Sequence, residues 1–305
     1  MAYQLKNEQL VIEIAEPGDY RGSRFDWNGF ITDVTLLDGN HSYCVPESLV
    51  PGQGTGGAGL CNEFGIKEPI GYEDAPVGGA FPKLGVGLLT RPDDREYDFS
   101  RAYPIKPFAT EIEMEGTRKI TFRITPEDCR GYAVAVTKSV SIDENRLTVQ
   151  YLLHNTGTKP ILTEEYCHNF FGIDGYPIGP NYVLKFPFEL FPWADEEETL
   201  AGLIFGKGDA GEVRWDHTPK DPFYFRLPGF DGNKYPWIWE LLHHPSGAGV
   251  REISRFHVSA AAVWGIGHVV SPEMFIEVKL APGEQKTWSR VYEFFHETGL
   301  GPLTG

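Results

Sequence analysis

Four stretches alternate apolar and polar residues or carry β-branched runs: KITFRIT (119–125), YAVAVTKSVSI (132–142), RLTVQYLLHN (146–155) and MFIEVKL (274–280). A period of two sends successive side chains to opposite faces, so each stretch reads as a strand with one face on a core. Turn chemistry separates them in IDEN, NTGTKP and APGE. The middle two stretches flank Asp143-Glu144-Asn145 and predict a hairpin with a short loop. No window offers an amphipathic helix longer than about three turns, so only a few short helices are expected. The predicted class is all-β.

Residues 51–82 read differently. Glycine, proline and charge dominate there, which predicts a long loop of the kind that is functional or mobile. The acidic run DEEE at 195–198 reads as a solvated turn. No repeat, low-complexity tract or linker divides the chain, and β-sandwiches of 305 residues are often one unit, so one domain over 1–305 is expected.

Composition narrows the function. A hydrophobic share of 41% with 13% aromatics supplies an ample core and excludes intrinsic disorder. The net charge of −16 repels nucleic acid and anionic membranes, so neither is an expected partner. An anionic substrate stays open, because a local Arg or Lys pocket can overrule the mean. Cys44, Cys61, Cys129 and Cys167 lack C-x-x-C spacing and zinc-like pairing with histidines. The opening MAYQLKNEQLVIEIAEPGD has no apolar signal region and no segment approaches membrane-spanning length, so a cytoplasmic protein with reduced thiols is the reading. Oligomeric state is not legible.

The chemistry-bearing stretch is EYCHNFFGIDGYPIGPNYVLKFPF (165–188). It sets His168 beside Asn169 and two phenylalanines, with Tyr176 close by. Aromatic faces stack on the C–H face of a sugar ring, and His and Asn side chains meet its hydroxyls. Far downstream come Val263-Trp264, Ser271-Pro272-Glu273, Pro282-Gly283-Glu284 and the closing WSRVYEFF. In this order the two regions resemble the galactose mutarotase-like superfamily of aldose 1-epimerases and hexose-phosphate epimerases. The resemblance implies a large antiparallel β super-sandwich acting on a sugar, with no cofactor or metal.

Mutarotation takes a proton from the anomeric hydroxyl and gives one to the ring oxygen. The ring opens, the C1–C2 bond rotates, and the ring closes on its other face. A histidine and a carboxylate on opposite sides of the ring would serve. By resemblance His168 is the general acid, following Asn155-Thr156-Gly157 in the family's order, and Glu273 is the general base. Glu277 is the rival base, sharing Glu273's face of a regular strand. Lys83, in FPKLGVG (81–87), stands where relatives carry a His-Gly-Gly histidine, and Asn62-Glu63 replaces their asparagine-arginine pair. Lys83, Glu63, Asn169, Tyr176, Arg24 (in RGSRFDWNG), Arg255 and Trp264 are therefore the candidate substrate contacts. Two other classes stay open: a carbohydrate-binding protein without catalysis, and an oligosaccharide lyase or hydrolase. The adjacent His243-His244 would point to opposite strand faces, which argues against a paired metal site.

Overall fold

In the computed structural model, residues 2–206, 210–228, 238–254 and 256–297 are described. The predicted hairpin forms as Val134–Asp143 against Arg146–Asn155, closed by a two-residue turn with Asp143 opposite Arg146. Glu144 in that turn adopts φ +50°, the left-handed conformation that tight hairpins demand. Burial alternates along both arms, as the sequence pattern requires. KITFRIT forms the strand Lys119–Thr125, and MFIEVKL is the second half of the twelve-residue strand Val269–Leu280.

The described residues form three antiparallel sheets of nine, ten and three strands. The ten-stranded sheet runs from Leu203–Phe205 at one edge to Ala109–Glu115 at the other, with the hairpin inside it. The nine-stranded sheet carries His168 and Glu273. Its order begins at Phe223–Arg226 and continues through Ala260–Ile266, Val269–Leu280, Ile161–Asn169 and Leu60–Phe64 to Ile31–Leu36 and the N-terminal strands. Phe122, Val140 and Val149 of the ten-stranded sheet join Ile12, Val34 and Val278 of the nine-stranded one in a single apolar core. That shared core makes the two sheets a super-sandwich. Among the described residues the only helical turns are two short 3₁₀ segments, Ile173–Gly175 and Glu197–Leu200. No helix there is long and apolar enough to cross a membrane.

The region 51–82 corrects an expectation. It is not loop throughout: Leu60–Phe64 is an interior strand of the nine-stranded sheet, buried at every position. Ala80–Lys83 opens the small sheet with Gly87–Thr90 and Ile105–Pro107. The turn between the first two needs Gly85, which sits at φ +77° where a Cβ would collide with the Asp26 carboxylate.

Candidate active site

Three neighbouring strands bring the chemistry together. On Ile161–Asn169, period two turns Tyr166 and His168 to one face, and Glu165, Cys167 and Asn169 to the other. The first face looks into a cavity of about 510 Å³; the second packs on the core. Ser271, Glu273 and Phe275 lie along the cavity side of Val269–Leu280. Trp264 and Ala262 come from Ala260–Ile266, and Tyr224 and Arg226 from the edge strand beyond it. Loop residues Glu47, Thr55 and Phe99 close the remaining side. This volume falls in the range of small-molecule sites.

His168 Nε2 lies 3.3 Å from Glu273 Oε1, and both side chains are only 6% exposed. Ser271 Oγ donates to the same carboxylate oxygen at 3.2 Å. The imidazole stacks on Phe170 with centroids 4.0 Å apart and meets the edge of Trp264 at 5.1 Å. His168 Nδ1 is buried without a hydrogen-bond partner. Glu273 faces the other ring nitrogen, Nε2. Burial, with the nearby Arg24 charge adding to it, holds the imidazole well below its ordinary value. Burial pushes the Glu273 carboxyl up to about 8, against a smaller lowering by Arg24 and Ser271. Burial thus favours a neutral imidazole facing a protonated carboxyl.

Arg24 reaches the cavity from the loop between the second and third strands. Its Nε donates to Glu63 Oε2 at 2.9 Å, Nη2 to Tyr166 Oη at 2.9 Å, and Nη1 to Thr55 Oγ1 at 3.1 Å. The guanidinium also stacks over Phe25 and Phe99. Tyr166 Oη in turn donates a hydrogen bond to Glu63 Oε2 at 2.7 Å. Such a fork holds Arg24 in one geometry.

The sequence matches no protein-family model and no curated protein. Solved structures do match. The chain is similar to the Slr1438 protein of Synechocystis, with a TM-score of 0.63 at 11% identity over 97% of this chain and 96% of that one. It is similar to a galactose mutarotase related enzyme of Lactobacillus acidophilus, with a TM-score of 0.60 at 12% identity over 99% and 100%. A GalM/aldose epimerase homologue of C. elegans matches with a TM-score of 0.60 at 11% identity over 97% and 99%. The fold is that of the galactose mutarotase-like proteins. Identities this low carry the architecture and nothing of the chemistry.

On this mutarotase-like sandwich the other candidate residues separate. Trp264 and Arg24 line the cavity with His168 and Glu273. Glu63 and Lys83 do not line it: they are buried behind Arg24, where Lys83 Nζ reaches Glu63 Oε1 and the Gly65 carbonyl, both at 3.2 Å. Lys83 is neither a surface lysine nor a group facing the cleft. Asn169 faces the core, donating to the Pro272 carbonyl and accepting from Tyr292 Oη at 3.0 Å. Tyr176 stacks on His243 at 4.6 Å, away from the cavity. Arg255 lies outside the described residues. The rival Glu277 is exposed and paired with Lys279 at 2.7 Å. Glu47, Thr55, Tyr166, Tyr224, Arg226 and Phe275 were missed as cleft residues; the alternation of 164–168 was the one signal that pointed to Tyr166 beside His168.

Proposed function

We propose that this protein is a cofactor-independent carbohydrate epimerase that interconverts the anomers of an aldose or aldose derivative, with His168 and Glu273 as its acid–base pair. The observation that carries this reading is their 3.3 Å contact at the wall of a sugar-sized cleft. The anomeric hydroxyl and the ring oxygen are bonded to the same carbon, so the groups that exchange protons with them must be adjacent. Neighbouring side chains serve this better than groups on opposite sides of the ring, the arrangement expected from sequence.

Proton accounting supports the pair. A neutral imidazole with a protonated carboxyl holds the same number of protons as an imidazolium with a carboxylate. Transfer across the contact gives the second form. Glu273 then takes the proton from the anomeric hydroxyl as the C1–O5 bond breaks, and His168 gives its proton to O5. C1 becomes the aldehyde carbon. The step ends on the neutral pair, the form that burial favours. Rotation about C1–C2 and the reverse transfers close the other anomer. Trp264 offers an aromatic edge and face for the sugar's C–H surface, and Arg24, held by Glu63, is a fixed hydrogen-bond donor beside it.

The test uses freshly dissolved pure anomers of a panel of aldoses, with anomeric exchange followed by NMR. Exchange above the uncatalysed rate for at least one aldose is expected. Binding without any acceleration would leave the sugar-binding reading instead.

A further inference from the structure

We propose that the cleft takes the reducing end of a neutral oligosaccharide, with further sugar rings laid along the strands beyond the acid–base pair; this rests on the epimerase reading above. The strands Ala260–Ile266, Val269–Leu280 and Ile161–Asn169 are consecutive in the sheet and antiparallel. Period two therefore arranges their cleft-facing residues in cross-strand rungs, spaced about 7 Å apart. The first rung is catalytic: Glu273 sits opposite Ala262, with His168 against it. The second is apolar, with Tyr166 fully buried beneath it. Phe275 sits opposite Ala260, and the Tyr166 ring stacks on Phe275 at 4.6 Å and 17°. The third is polar, with Glu164 opposite Glu277.

A single hexose placed on His168 and Glu273 covers the first rung and part of the second. The third stays uncovered. The space continues nonetheless: the 510 Å³ cleft runs into a second cavity of about 610 Å³, and Lys67, Glu164 and Ala260 line both. At the junction the side chain is only a methyl group, Ala260, so nothing from that strand fills the groove. The half-buried Phe275 ring beside this alanine, with its other face on Tyr166, is a platform for the C–H face of a second ring. Beyond it the second cavity offers Ser259, Glu164 and Glu277 to hydroxyls. With Glu277 paired to Lys279, the carboxylates of Glu68 and Glu164 still outnumber Lys67 there, which disfavours phosphorylated or uronic units and selects a neutral chain.

The experiment compares kcat/KM for anomeric exchange of glucose and galactose with that of neutral di- and trisaccharides having the same reducing-end sugars, in wild type and Ala260→Trp. The expected result is a gain of about tenfold for the second ring, from binding energy remote from the reacting carbon. Ala260→Trp, which fills the second rung, should lower the disaccharide-to-monosaccharide ratio by a similar factor. Equal rates for mono- and disaccharides, with a ratio that Ala260→Trp leaves alone, would overturn the extended site while the epimerase reading stood. If no sugar exchanges, calorimetric titration still decides: tighter binding of the trisaccharide than of the monosaccharide keeps the groove, and equal or absent binding removes it.

Discussion

His168 Nε2 and Glu273 Oε1 stand 3.3 Å apart on adjacent strands, each nearly stripped of water. Desolvation acts on both in the same sense, penalising the imidazolium and the carboxylate alike. The pair is therefore a proton-sharing unit whose two members titrate together rather than singly. Its behaviour gives the sharpest predictions.

Glu273→Gln keeps shape and hydrogen bonding but removes the proposed base, and His168→Ala removes the proposed acid. Each change should lower the rate of anomeric exchange by about 10²–10⁴-fold. Because the two act as one relay, the double variant should be little worse than the poorer single one. Glu277→Gln, four residues on along the same face but exposed and paired with Lys279, should cost at least tenfold less than Glu273→Gln. Exchange kinetics by NMR, with circular dichroism as the folding control, measure all four. A dead Glu277→Gln beside an active Glu273→Gln would reverse the assignment of the base.

The alkaline limb of the pH profile should report the Glu273 carboxyl. The pair carries its working proton below about pH 8 and loses it above, so kcat/KM should be level through neutral pH and fall beyond about 8. Stability follows the same group. Its folded pKa lies above the ordinary value of 4.5, so the native state binds the extra proton between the two. That contribution is fully present below pH 4.5 and lost as pH rises through about 8, a change on the order of a few kcal/mol. Chemical denaturation as a function of pH should show this loss in wild type, and a flatter curve in Glu273→Gln. Equal slopes in the two proteins would show that the carboxyl is not held protonated.

Arg24 lowers the pKa of both members of the pair through its charge. Arg24→Gln should therefore move the alkaline limb to higher pH, by keeping the Glu273 proton longer. A shift to lower pH, or none, would mean that the guanidinium does not act on the carboxyl. Loss of the fork to Glu63, Tyr166 and Thr55 should raise KM in the same variant.

Lys83 should matter to stability more than to substrate choice. Its ammonium is 1% exposed and neutralises Glu63, itself fully buried. Removing one partner of a buried pair costs about 3–5 kcal/mol, and Lys83→Ala should sit at the low end because Arg24 and Tyr166 still hold Glu63. Thermal unfolding measures this. An unchanged Tm with a raised KM would return Lys83 to the substrate's side of the wall.

Much of the sandwich was legible in the chain. Strands with one face on a core and one on water alternate residue by residue, and Lys119–Thr125 and the hairpin Val134–Asp143 with Arg146–Asn155 could be read directly. Leu60–Phe64 could not. Covered on both faces, LCNEF carries no alternation, and the glycines before it resemble a loop. Among the site candidates, His168 and Glu273 were marked by their neighbours in sequence. Asn169 was marked by adjacency to His168, yet adjacency on a strand means opposite faces, and it turns to Tyr292 in the core.

What the amino-acid sequence determined by itself was local: strand pattern, turn chemistry, and the residue types suited to sugar chemistry. Tertiary structure alone decided which distant segments share the cleft. It set Glu63 between Arg24 and Lys83, taking two candidate groups behind the wall, and brought Tyr224, Arg226 and Phe99 to its rim. It also put His168 and Glu273 in contact. The reason is physical. Alternation is written every two residues along one strand, whereas burial of a charge and the partner that neutralises it depend on contacts between strands far apart in the chain, which no local pattern encodes.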